Sequence, residues 1–149
     1  IQFTMNHDDG NQTDDIEKSD IILLGVSRTS KTPTSIYLAN RGFKTSNIPL
    51  VNKNSIPSKV TEKNFTPCVV GLVTEAERLY DLRKNRLTSL KEDQNSEYVN
   101  IDKIKDELNN ARKIFKENSW PMIDVTRKSV EETAASVIKI YEIKNKKNA

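Results

Sequence analysis

Ile21-Ile22-Leu23-Leu24-Gly25-Val26 is an unbroken apolar run in a mostly polar chain. A short run of this kind predicts a strand buried on both faces, as in a parallel sheet. Cys68-Val69-Val70-Gly71-Leu72-Val73 predicts a second such strand. Asn47-Ile48-Pro49-Leu50-Val51 and Trp120-Pro121-Met122-Ile123-Asp124-Val125-Thr126 predict two more, with Pro49 pushing the former toward an edge or a strand end. Helical patterns lie between them. One runs from about Pro33 to Asn40, with Pro33 in the first turn and Gly42 placed to stop it. A second starts at Thr74, where Thr74-Glu75-Ala76-Glu77 reads as a capping box, and carries Leu79, Leu82, Leu87 and Leu90 as its stripe. A third repeats Ile101, Ile104, Leu108, Ala111 and Phe115 at three- and four-residue steps. The last follows the capping box Ser129-Val130-Glu131-Glu132 and aligns Val130, Ala134, Val137, Ile138 and Tyr141. Residues 52–67 and 91–98 read as polar connections. Strands alternating with helices predict an α/β sandwich, a mostly parallel sheet flanked by helices.

Composition narrows the function classes. The 149 residues suit one domain, and none of the apolar runs approaches the ~20 residues that span a bilayer. One cysteine, Cys68, excludes an intrachain disulfide framework, and one histidine, His7, leaves little for a histidine-based metal centre. Cys68 and Trp120 read as core. The net charge of +3 is too small to argue for nucleic acid. It is unevenly spread, because residues 1–20 carry six acidic side chains against Lys18 alone. The rest of the chain is therefore basic, which suits either a solvated surface or an anionic ligand such as a nucleotide. Apolar residues are 35% of the chain, on the low side for a compact domain. The chain opens on Ile1 without a signal-peptide pattern and reads as a piece of a longer protein.

The candidate chemistry lies where the first strand meets the first helix. Gly25-Val26-Ser27-Arg28-Thr29-Ser30-Lys31-Thr32 nearly fits G-x-x-x-x-G-K-[ST], with Ser30 in place of the second glycine. In such a loop successive backbone N–H groups form a nest for phosphate oxygens, and the helix dipole adds to it. Lys31 would reach the β-phosphate or the transferred phosphoryl, Thr32 could hold Mg2+ through its hydroxyl, and Arg28 adds a planar fork. The bland alternative is an ordinary strand–turn–helix with surface Lys and Arg.

The loop does not stand alone. Gly25 to Pro33, Tyr37-Leu38-Ala39-Asn40 and Asn47-Ile48-Pro49-Leu50-Val51 resemble the regulatory proteins of pyruvate, phosphate dikinase and phosphoenolpyruvate synthase, the bifunctional kinase–pyrophosphorylases. His7-Asp8-Asp9-Gly10, Gly71-Leu72, the helix with Arg78, Arg83 and Arg86, Glu107-Leu108 with Ala111-Arg112, and residues 120–126 with 129–135 agree in the same order. The Arg127-Lys128-Ser129 lead-in and the loop at 52–67 depart from the family pattern. The resemblance implies a P-loop kinase-like fold and a cytoplasmic enzyme that phosphorylates a threonine of the dikinase or synthase with ADP as donor. Inorganic phosphate would reverse this by attacking the phosphothreonine and releasing pyrophosphate. Residues 1–20 would be an acidic lead-in, 21–145 the nucleotide-binding domain and 146–149 a tail, with the family's N-terminal region absent. The protein partner would be phosphoenolpyruvate synthase or pyruvate, phosphate dikinase, with neither nucleic acid nor membrane involved; a homo-oligomer is compatible with this.

With that resemblance in hand, Asp8 or Asp9 could orient or deprotonate the threonine hydroxyl or help hold metal, whereas an Asp-Gly turn is the plain alternative. His7 could join them or be structural. Asp124, ending a strand inside an apolar run, could sit near the metal with Thr32, or cap a turn. Arg78, Arg83 and Arg86 could clamp phosphate, or form a helix's wet face. The rival readings are an ATP-dependent P-loop kinase of small molecules and a non-catalytic nucleotide-sensing domain.

Overall fold

The computed structural model describes residues 2–8, 16–26, 29–50, 56–62, 65–90 and 100–147. Four strands, β1 (Ile21–Gly25), β2 (Thr45–Pro49), β3 (Cys68–Val73) and β4 (Met122–Asp124), form one sheet in the order β2-β1-β3-β4. Every pairing is parallel. The helices are α1 (Gln2–Asn6), α2 (Lys31–Asn40), α3 (Ala76–Leu90), α4 (Ile101–Glu117) and α5 (Val130–Lys147). The linker expected at 91–98 lies outside the described residues.

Alternation along the strands sorts the core into two layers, because successive side chains of a strand point to opposite faces. Ile22, Leu24, Val69 and Val73 pack with Leu79, Ile104, Leu108 and Phe115, which puts α3 and α4 on one face. Ile21, Leu23, Val70 and Leu72 pack with Leu38, Ala134 and Val137, which puts α2 and α5 on the other. Both faces of β1 and β3 are thus covered, as their unbroken apolar runs require. Gly71 fits this packing for a local reason: a Cβ there would lie 2.5 Å from the Phe115 ring.

Several boundaries differ from expectation. β2 starts at Thr45, two residues early, so that the polar Thr45, Ser46 and Asn47 are buried strand residues. They tolerate burial because α1 and the residue after it cover this edge of the sheet. Thr4 Oγ1 accepts from the Thr45 N–H at 3.2 Å, and the His7 carbonyl accepts from the Asn47 N–H at 3.3 Å. The fourth strand is shorter than its apolar run, and α2 starts at Lys31, leaving Pro33 inside its first turn. The 52–67 stretch includes a turn of 3₁₀ helix at Ser58–Thr61 and sends Ile56 and Val60 into the core.

Of the two capping boxes, the one at Ser129 forms. Its hydroxyl accepts from the Glu132 N–H at 3.1 Å, and Glu132 Oε1 accepts from the Ser129 N–H at 3.4 Å. The box expected at Thr74 does not: the Thr74 hydroxyl lies 3.1 Å from that of Thr126, and Thr126 Oγ1 takes the Glu75 N–H. A hydroxyl from the neighbouring strand end has displaced the local cap.

From β1 the chain passes through α2 to β2 on one side, then returns across β1 to β3 on the other. The strand order therefore reverses at the C-terminal ends of β1 and β3. That crevice is where open parallel sheets bind ligands.

Candidate phosphate-binding site

The loop from Gly25 to Thr32 emerges at this reversal point. Gly25 ends β1 where only a residue without a side chain fits, since a Cβ would sit 2.6 Å from Thr29 Oγ1 and 3.0 Å from the Leu72 carbonyl oxygen. Thr29 is buried and its hydroxyl donates to the Val26 carbonyl at 2.8 Å, folding the loop back on itself. Ser27 and Arg28 lie outside the described residues. Ser30 precedes α2 with φ 65° and ψ 25°, the left-handed conformation that glycine adopts at no steric cost. The substitution that weakens the motif on paper has therefore left its backbone unchanged in kind. Ser30 also makes no side-chain capping bond to the first turn of α2.

Lys31 follows. It is 94% buried, and its Nζ donates to the Val26 carbonyl at 2.9 Å. A lysine is almost never this buried unless a partner meets its charge. Here the ammonium turns back to the end of β1, where the Val26 carbonyl accepts from it. The alternative of a surface lysine is excluded for this residue.

Thr32 Oγ1 donates to Asp8 Oδ1 at 2.8 Å, and the same oxygen accepts from Asn47 Nδ2 at 2.6 Å. Asn47 Nδ2 also donates to Ser35 Oγ at 3.2 Å. So the acidic lead-in does come to the phosphate loop, through Asp8. Asp9 and Gly10 lie outside the described residues. His7 is 97% buried, with its ring stacked on Phe3 at 3.8 Å between centroids and its Nδ1 2.7 Å from the Phe3 carbonyl. Those contacts give it a structural place between α1 and β2.

Asp124 ends β4 on the same edge of the sheet, but β3 stands between β4 and β1, a lateral separation of about 10 Å at the usual strand spacing. Its Oδ1 accepts from both the backbone N–H at 2.9 Å and the hydroxyl of Thr126. Burial alone would raise its pKa. The two Thr126 bonds, with the charges of Arg112 and Lys128, outweigh that and hold the carboxyl below the ordinary carboxylate range. Asp124 therefore caps the turn after β4. Of the arginines, Arg78 is exposed. Arg83 is 99% buried and pairs with Glu107 at 2.8 Å between α3 and α4, so it is neither a wet-face residue nor a phosphate clamp. The Arg86 side chain lies outside the described residues. Cys68 is buried, which pushes its thiol pKa up, and Trp120 packs against the core.

Mg2+ takes hard oxygen ligands, commonly one or two from the protein, with phosphate oxygens and water completing the shell. Among the described residues no group of three or more His, Cys, Asp and Glu could cage an ion. Thr32 and Asp8 fit the sparser arrangement. Thr32 gives its one hydroxyl proton to Asp8, which turns its oxygen lone pairs outward, and the carboxylate supplies a charge beside them. The residue missed in the sequence is Asn47, read there only as the start of a strand. A polar triplet before an apolar strand end was its one local signal.

A sequence model of the kinase/pyrophosphorylase family matches residues 1–138. A protein from Pelagibacter ubique, named as a pyruvate, phosphate dikinase regulatory protein, is 66% identical over 99% of this chain and 54% of its own length. Proteins of the same name from Sphingopyxis alaskensis and Erythrobacter litoralis are 56% and 54% identical over 95% of this chain, and 52% and 50% of theirs. The chain thus spans about half the length of the curated relatives it matches. With a parallel sheet, a family model that matches residues 1–138 and relatives up to 66% identical over nearly the whole chain, the chain belongs to the kinase/pyrophosphorylase family.

Proposed function

We propose that this chain carries the nucleotide-binding part of an enzyme that moves a phosphoryl group from ADP to a threonine of pyruvate, phosphate dikinase or phosphoenolpyruvate synthase, and removes it again by phosphorolysis. The buried Lys31, folded over a loop whose Ser30 keeps the glycine conformation, is the observation that carries this reading. The relatives' names support the dikinase as the protein target.

In the forward direction the threonine oxygen attacks the β-phosphorus of ADP, the bond to the bridging oxygen breaks, and AMP leaves. Backbone N–H groups of residues 25–32 bind and orient the two phosphates. Lys31 gives up the Val26 carbonyl for a phosphate oxygen and neutralises charge as it develops there, and Arg28 assists. Asp8 or Asp9 takes the hydroxyl proton. Because Asp8 Oδ1 already serves Thr32 and Asn47, Oδ2 is its accepting atom. Thr32 and Asp8 would hold Mg2+, whose chemistry is to screen phosphate charge. In reverse, inorganic phosphate occupies the same cradle, attacks the phosphothreonine phosphorus, and leaves as pyrophosphate.

Label transfer tests this. ADP carrying label in its β-phosphate is incubated with the dikinase or the synthase and this chain, alone and extended to the length of its relatives. Labelled phosphothreonine supports the reading. Transfer only from ATP labelled in the γ-position, or only into a small molecule, sinks it.

A further inference from the structure

Asp8 hydrogen-bonds to Thr32 of the candidate phosphate loop, and it sits two residues beyond a five-residue helix. A carboxylate that must face Thr32 needs something rigid behind it. That support is Asn47, wholly buried on β2. It reaches the segment twice: its backbone N–H donates to the His7 carbonyl at 3.3 Å, and its Nδ2 donates to Asp8 Oδ1 at 2.6 Å. Ser35 Oγ, on α2 one turn beyond Thr32, takes a second bond from the same Nδ2 at 3.2 Å. One amide thus links the edge strand, the helix of the phosphate loop and the acidic segment.

We propose that Asn47 is a positioning residue for the phosphoryl-transfer site, one that fixes the Asp8 carboxylate and through it the direction of the Thr32 hydroxyl. The proposal rests on the reading of residues 25–32 as a diphosphate cradle. The chemistry is that of a second ligand shell. Thr32 can present lone pairs to a cation only while its proton is given to an acceptor held still, and Asp8 is held by Asn47. An asparagine suits the position better than an aspartate or a leucine. Its amide donates to a carboxylate without adding a charge, and it stays satisfied when buried.

The coupling between Mg2+ and ADP is the quantity to measure, by calorimetry of ADP binding with Mg2+ and with chelator. The wild-type chain binds ADP more tightly when Mg2+ is present. In Asn47→Ala that enhancement falls by ~10-fold or more, as it does when a metal ligand loses the hydrogen-bond donor that orients it, while affinity in chelator changes less than twofold, because the loop backbone and Lys31 are untouched. In an Asp8→Asn background, Asn47→Ala has no further effect on the enhancement. Should Asn47→Ala not fold, Asn47→Leu, close in size and lacking the donor, takes its place, and thermal melting checks both. A purely structural asparagine would lower the melting temperature and leave the Mg2+ enhancement intact; that result, or a loss additive with Asp8→Asn, overturns the proposal while the cradle stands. No ADP binding by the wild-type chain overturns the cradle and this inference with it.

Discussion

Replacing Ser30 by glycine probes the phosphate loop from an unusual side, because it restores the motif the sequence departs from. Ser30 has φ 65° and ψ 25°. A residue with a Cβ pays ~1–2 kcal/mol in this region. Against that, glycine gives the unfolded chain more freedom, which costs ~0.4–1 kcal/mol. The serine hydroxyl makes no capping bond to α2, so its removal costs little. The balance leaves Ser30→Gly more stable by about 0.5–1 kcal/mol. For a chain of this size that raises the melting temperature by ~1–4 °C. Ser30→Ala keeps the conformational strain and lacks the hydroxyl, and should lie within ~0.5 kcal/mol of the wild type. Urea denaturation of the three proteins, followed by circular dichroism, measures both differences. The reasoning is refuted if glycine destabilises. It is also refuted if alanine costs the ~1 kcal/mol of a lost N-cap, since the hydroxyl would then be capping the helix after all.

Other expectations follow from single contacts. Gly71→Ala places a methyl 2.5 Å from the Phe115 ring, against a normal contact of ~3.5–4 Å, and should destabilise by ~1–3 kcal/mol in the same denaturation assay. Glu107→Ala removes one carboxylate partner of the buried Arg83 and should cost ~1.5–3 kcal/mol. Arg83→Met refills the space and leaves a half-exposed Glu107 that water can reach, so it should cost less; the reverse order of the two melting temperatures would refute this. The depressed pKa of Asp124 contributes stability that is complete above the ordinary carboxylate value, near ~4, and is lost as pH falls through the lowered one. Thr126→Val removes the hydroxyl bond and should move the Asp124 titration, read by carboxyl-carbon NMR, upward toward the ordinary range.

The centre of the sheet was legible because β1 and β3 are buried on both faces. β3 falls on its apolar run from Cys68 to Val73, and β1 ends one residue before its run does. β2 was displaced because Thr45 and Ser46 look like loop residues, and only α1, folding over the edge, supplies partners for their burial. The Thr74 box failed for the same kind of reason: Thr126 lies far along the chain, and no local pattern announces that its hydroxyl will take the Glu75 amide. In the site, residues 25–32 were readable as a contiguous motif. The partnership of Asp8 with Thr32 and Asn47 was not, because those residues stand 24 and 39 positions apart and meet only after β1, α2 and β2 have assembled. Arg83 misled in the opposite direction. Its spacing on an amphipathic helix suits solvent, and its burial depends on Glu107 arriving from α4.

The proposed function stands or falls on residues 25–32 cradling a nucleoside diphosphate under Lys31. Calorimetric titration of ADP into the wild-type chain and Lys31→Met decides this, since methionine fills the buried space without the charge. The wild type should bind, and the variant should bind at least ~10-fold more weakly, the loss of one charge-assisted phosphate bond. Equal affinity in the two, with both folded, would contradict it.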